Sequence, residues 1–287
     1  MAAAGAARPG RLMSSARDPL HVTGEVLVVK KIGAYRHLTI AASGIAERYR
    51  PGTFVAVSIG DLTPRAHLAR RSFWITGVRP TGSHGPTIEL VVEPRGVGST
   101  WLADRRQGDH LELTGPLGRP FALPKEPVSC LLVGEGYAAG ALFPLAERLR
   151  ARSCTVTMLL GAPDEVHLLG ALDARRAARA VSVVTGDGSV GRRGDIAGAL
   201  PEVMDGIEVV YATGSHGALH AVAAAAEQHG AWSQVAVETP QACGTGLCQG
   251  CPLPVVGEDG VARVVRACAE GPVIRGDRVR WADLGVS

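Results

Sequence analysis

The sequence predicts an antiparallel β-barrel domain, then an α/β domain with a parallel sheet, then a small cysteine-bearing unit towards the C-terminal end. Three observations carry this expectation. Short β-like runs separated by Gly, Pro and polar clusters fill 22–113. From Val128 onward apolar strands alternate with helical patterns, which is how βαβ units read in sequence. Four of the six cysteines crowd into 243–268.

The bulk numbers agree with that class. A chain of 287 residues has room for two domains and an appendage. With 46% hydrophobic and 20% charged residues the composition is that of a globular protein. The formal net charge of +3 is too small to call for a nucleic-acid or anionic-membrane partner. No apolar run approaches the roughly 20 residues of a spanning helix. Residues 1–19 are rich in Ala, Arg, Gly and Ser and hold no acid before Asp18. They are expected to be a disordered tail, although an organelle transit peptide has a similar composition. Without an apolar h-region secretion is not expected, and the cytoplasm is the expected compartment.

The barrel is assigned to 20–120. Its strand candidates are VTGEVLVV, TFVAVSI, SFWITGV, TIELVV and DHLELT, short runs at a spacing typical of barrels and sandwiches. The stretch TGPLGRPFALPKEP holds four prolines and two glycines and reads as a domain linker. The α/β domain is assigned to 125–237. VSCLLVG leads into a Gly/Ala-rich turn and a helical pattern from Ala138 to Arg150, and CTVTMLL into one near Ala171 to Ala178. AVSVVTG and IEVVYATG follow, then an Ala-rich helix over about 218–228 and a last strand, SQVAVE. Cys130 and Cys154 stand alone in apolar runs, where cysteine is usually a small buried hydrophobe.

The remaining unit, 238–287, carries the chemistry. Its cysteines, Cys243, Cys248, Cys251 and Cys268, are spaced C-x4-C-x2-C and then C after sixteen further residues. That is the plant-type [2Fe–2S] pattern. Three thiolates must curl around a compact cluster from one loop, and Gly244, Gly246 and Gly250 let the backbone come close. Their amides can then point at sulfur. A structural zinc site with four thiolate ligands is the other reading, although such sites are usually built from two C-x2-C knuckles. His216 and His220, four apart on an expected helix, could face one metal; with His67, His84, His110, His167 and His229 they are read as surface residues. No Ser-His-Asp or paired-carboxylate arrangement can be argued, so no catalytic residue is assigned.

With these motifs in place, 20–287 resembles the electron-transfer subunit of class 1B dihydroorotate dehydrogenase, within the ferredoxin–NADP reductase superfamily. The tail ACGTGLCQGCPLPV and RACAEGPVI is similar to that family's cluster signature. The resemblance implies an oxidoreductase with FAD in the barrel, an α/β nucleotide-binding domain for NAD(P)H and a small C-terminal iron–sulfur subdomain. It also implies a partner catalytic subunit carrying FMN, in a heterotetramer serving pyrimidine biosynthesis. In place of the family's Arg-Pro-x-Ser flavin motif stand Arg71, Ser72, Phe73 and Trp74; Arg71 would pair with the pyrophosphate, and Phe73 or Trp74 would stack on the flavin. Trp74 replaces the family's serine. Val91, Val92 and Glu93 match the strand lining the adenosine half, and Gly98, Ser99 and Leu102 match the Gly-Thr-x-x-Leu turn, with Thr100 adjacent. On the nicotinamide side Gly134 and Gly136 remain, but Glu135 stands where glycine is usual. Thr213, Gly214 and Ser215 replace Cys-Gly-Pro. A carboxylate at position 135 would repel a nucleotide pyrophosphate if it faced the site. The same architecture would also serve a sulfide dehydrogenase or a hydrogenase-associated diaphorase, and a zinc-stapled binding module without cofactors is the non-redox alternative.

Overall fold

The computed structural model describes residues 19–60 and 70–286. The tail expected over 1–19 lies outside them except for residue 19, and so does His67. The first unit holds β1 (Leu20–Ile32), β2 (Tyr35–Ala41), β3 (Phe54–Val57), β4 (Arg71–Trp74), β5 (Gly77–Arg79), β6 (Thr87–Val92) and β7 (His110–Leu117), with helices α1 (Ile45–Arg48) and α2 (Val97–Ala103). The strands pair antiparallel in the order β4-β3-β7-β1-β2-β6-β5. The two edge strands are consecutive in the chain, and the residues between them serve both edges. The Ile75 amide donates to Thr53 beside β3, and the Thr76 amide donates to Glu89 of β6. The sheet therefore closes into the expected barrel. That closure also divides the run SFWITGV into two strands. β1 makes the curl by pairing with β7 through its first half and β2 through its second, with a register shift between Val26 and Val28; such irregularities bend a strand. Inward-facing Val26, Leu38, Ile40, Val55, Ile75, Ile88, Leu90 and Leu113 fill the interior. β2 was not among the expected runs because Arg36 and His37 interrupt its apolar residues.

The second sheet holds β8 (Ser129–Glu135), β9 (Thr155–Ala162), β10 (Ala180–Thr185), β11 (Arg192–Arg193), β12 (Val209–Thr213) and β13 (Trp232–Ala236). Helices α3 (Phe143–Arg150), α4 (Ala171–Ala177), α5 (Ile196–Ala199) and α6 (His216–Gln228) cover it. The expected helix from Ala138 instead starts as a 3-10 turn over 136–142. Pro144, at the start of α3, has no amide to give to the preceding turn, so the α-helix can begin only there. Cys130 and Cys154 are buried as expected, at 1% and 6% exposure, and burial pushes the Cys130 thiol up to about 12. The proline-rich connection is tied down: Gln234 bonds both the amide and the carbonyl of Ala122, and Phe121 packs edge-on against Tyr211 at 5.6 Å.

The cysteine-bearing segment adds a hairpin, β14 (Pro252–Val256) and β15 (Ala262–Arg266), the short helix α7 (Ala267–Glu270) and β16 (Val273–Arg275). β16 pairs antiparallel with β13, so the full order of the second sheet is β11-β10-β9-β8-β12-β13-β16. None of these strands was read from the sequence, because Pro and charged residues interrupt each. Among the described residues no helix is long and apolar enough to cross a membrane.

Candidate functional site

Two neighbouring cavities and one loop make up the site. The first cavity, of about 450 Å3, opens on the barrel. The structure gathers most of the expected flavin residues there: Arg71, Ser72, Phe73, Trp74, Val91, Glu93, Gly98 and Ser99 line it. Val92 does not, because alternate residues of a strand face opposite ways and Val92 belongs to the barrel interior. Thr100 is exposed and lies outside the lining. The absence of a side chain at Gly98 has a definite use. A Cβ there would come within 2.9 Å of the Arg71 side chain, so glycine lets the guanidinium stem lie against the start of α2. Glu93 binds Arg95 through one carboxylate oxygen at 2.7 Å. Its other oxygen is buried without a partner among the described residues, an acceptor suited to a ligand's hydroxyl or N–H group. A cationic rim, an aromatic wall and an unmet acceptor are the donor and acceptor set a flavin dinucleotide requires.

Five further residues of this cavity, Arg95, Gly96, Val97, Tyr137 and Glu238, were missed in the sequence. Glu238 is the centre of the wall. One of its oxygens accepts from the Trp74 indole and the other from the Tyr137 hydroxyl. Burial, then the Glu238 charge, raises the Tyr137 pKa, so the phenol remains a donor. Arg95 lies over the Tyr137 ring at 5.3 Å. The only sequence signal for Glu238 was its place at the end of the expected strand SQVAVE, which in the structure stops at Ala236.

The cysteine loop packs on the other side of that wall. Ser72 donates to Gln241 at 2.8 Å, and a Cβ on Gly244 would meet Ala56 of β3 at 3.1 Å. Gly244 and Gly246 have φ of 70° and 82°, a region glycine enters at little cost. The loop's amides point at sulfur: Thr245 at Cys243, Gly246 at Cys268 and Gly250 at Cys248. The thiols meet as two pairs. Cys251 lies 3.2 Å from Cys268, while Cys243 accepts from the amide and thiol of Cys248. Burial and Cys251 push Cys268 up to about 12. At Cys243 burial also raises the pKa, but hydrogen bonds from Cys248 and Thr245 outweigh it and hold the thiol at about 6. Among the described residues no three His, Cys, Asp or Glu side chains converge on one point able to hold a metal ion. A two-iron cluster is held by four cysteine thiolates, and two pairs of thiols supply that number.

The second cavity, of about 380 Å3, lies at the carboxyl ends of β8 and β12. These strands are neighbours, yet β8 leads to β9 on its other side, so the chain reverses direction across the sheet here, where α/β proteins bind ligands. Gly136 lines this cleft with φ of 56°. Gly134 does not; a Cβ there would meet Ala139 at 2.6 Å, so its role is packing. Glu135 does face the cleft, and its carboxylate accepts from the Ser215 amide at 2.8 Å. The Thr213 hydroxyl is buried without a partner among the described residues. The histidines are no metal pair: His216 bonds the Glu238 carbonyl and His220 packs on Trp281.

Comparison with known proteins decides the family. Residues 238–280 match the model of the iron–sulfur cluster binding domain of dihydroorotate dehydrogenase B. A probable dihydroorotate dehydrogenase B (NAD(+)) electron transfer subunit from Methanopyrus kandleri is 30% identical over 83% of this chain and 84% of its own. The chain belongs to the family of dihydroorotate dehydrogenase B electron transfer subunits. A member of this family from Desulforamulus reducens is 29% identical over 85% of this chain and 92% of its own. Among solved structures, an NADH-dependent reduced ferredoxin–NADP oxidoreductase superposes with a TM-score of 0.79 at 25% identity, covering 91% of each chain. Phthalate dioxygenase reductase shares the fold with a TM-score of 0.55 at 17% identity, over 86% of this chain and 77% of its own. As an electron transfer subunit the chain is an oxidoreductase component that works with a catalytic partner, and its C-terminal segment is an iron–sulfur cluster binding domain.

Proposed function

We propose that Arg71, Phe73, Trp74, Val91, Glu93, Gly98 and Ser99 hold FAD, and that Cys243, Cys248, Cys251 and Cys268 hold the [2Fe–2S] cluster as two pairs, one pair to each iron. The observation that carries this reading is the shared wall. Ser72 and Trp74, successive outward-facing residues of β4, touch both the flavin cavity and the segment leading into the cysteine loop. When bound, the flavin exchanges electrons in pairs and the cluster exchanges them singly, and the protein supplies position and electrostatics.

Each residue's part follows from its place. Arg71 presents a fork of donors suited to pyrophosphate oxygens. Gly98 lets that fork sit at the start of α2. Phe73 supplies an apolar surface for the ring. The amides of Thr245, Gly246 and Gly250 stabilise negative charge on the thiolates. Cys248 is exposed, and its neighbour Leu247 is 84% exposed, so this tip is the face offered to the partner. The partner is read as an FMN-containing dihydroorotate dehydrogenase subunit, in a cytoplasmic heterotetramer of the pyrimidine pathway. This chain alone does not oxidise dihydroorotate. The three units are taken as 20–120, 125–237 and 238–287, with β16 lent back to the α/β sheet.

Iron, acid-labile sulfide and flavin per chain, measured on anaerobically purified protein, test the assignment. Equal iron and sulfide at about two each with one flavin is the expected result. Iron-free protein with zinc on the cysteines would sink it.

A further inference from the structure

The cleft at the ends of β8 and β12 is already supplied with an anion. Glu135 closes β8, and Ser215 caps α6 with its hydroxyl accepting from Ala218. The Glu135 carboxylate crosses the crevice and takes the Ser215 amide at 2.8 Å. α6 is 13 residues long, so the positive end of its dipole adds to that amide's attraction for a negative group. The contact depends on Gly214, where φ is 154° and a Cβ would stand 2.8 Å from the Glu135 Cβ. The basic side chains lining the cleft have partners of their own: Arg95 with Glu93 and His167 with Asp164 at 2.7 Å each, and His216 with the Glu238 carbonyl at 2.8 Å. On the flavin side, Tyr137 bonded to Glu238 stands between the two cavities.

We infer that Glu135 competes with the pyrophosphate of a pyridine dinucleotide for the backbone donors that open α6, and so sets a low affinity of this chain for NAD(H) and NADP(H). The amide cannot serve both anions. A dinucleotide entering the crevice either meets a carboxylate of like charge or must wait until Glu135 has swung away. In the second case the apparent dissociation constant is the intrinsic one divided by the fraction of chains with the donors free. Glu135 is thus a specificity-determining residue. The choice of ligand rests on the reading of the chain as an electron transfer subunit, but the contact itself does not.

Calorimetric titration of the purified, flavin-loaded protein with NAD+ and with ADP-ribose, neither of which delivers electrons to it, tests this. Glu135→Gly removes the carboxylate and is expected to tighten ADP-ribose binding by about tenfold or more, as loss of a competing charged hydrogen bond requires. Glu135→Gln keeps an acceptor but not the charge, and should tighten it by less. Micromolar binding of NAD+ by the unaltered chain overturns the inference. So does an unchanged affinity in Glu135→Gly that melts normally, or in Glu135→Gln should the glycine variant not fold. Iron and flavin contents of the same samples report on the relay separately, so the two readings fail independently.

Discussion

The two cavities lie side by side and share Arg95, Tyr137 and Glu238, yet they are finished differently. In the cavity proposed for the flavin one Glu93 oxygen has no partner among the described residues, Gly98 leaves room for the Arg71 stem, and the wall runs on into the cysteine loop. In the neighbouring cleft the amide that opens α6 is already taken, by Glu135. Gly134 there serves packing, since a Cβ would meet Ala139 at 2.6 Å. The difference lies in one contact: a side chain of the same chain engages the helix-opening amide in the cleft, and none is seen to engage the second Glu93 oxygen among the described residues.

The contrast can be broken or sharpened by substitution. The largest effect is expected on the flavin and cysteine side, from Cys268→Ser: iron per chain should fall to near zero, while Gly214→Ala in the cleft should leave iron content unchanged. Comparable iron loss in both would erase the distinction. Trp74→Ala removes a buried indole that packs on Phe54 and bonds Glu238. It should cost about 3 kcal/mol, seen as a melting temperature lower by roughly 6–12 °C. Arg71→Ala should weaken flavin binding by about 10–100-fold with little change in melting of the flavin-free protein, since the side chain lies at the surface. The smallest effect belongs to the cleft. Thr213→Val deletes a buried hydroxyl with no partner among the described residues at nearly equal volume, and should raise stability by about 1 kcal/mol, visible as a melting temperature higher by roughly 2–4 °C. A fall in its place would mean that the hydroxyl has a partner.

The sequence showed what is local. The alternation of strand and helix, the buried Cys130 and Cys154, and the thiol spacing are all written in neighbouring residues. Arg71 and Gly98 could be paired in advance only through a resemblance, since 26 intervening positions (72–97) separate them. Glu238 and Tyr137 were invisible because their role depends on three segments meeting at one point. Glu135 was legible as an oddity, but its direction was not; that required the position of Ser215, 80 residues away. β2 and the hairpin of β14 and β15 were lost to charged and proline-bearing positions that face solvent or strand edges, where the alternation carries no apolar signal.

The pairing of β16 with β13 has a consequence for how the protein is made. Cys268 lies a few residues ahead of β16, so the segment that brings the last thiol is also the one that completes the edge of the second sheet. On the ribosome the barrel and every other strand of that sheet are synthesised before this segment emerges. A chain truncated before Cys268 would lack both the fourth thiol and the strand that pairs along β13.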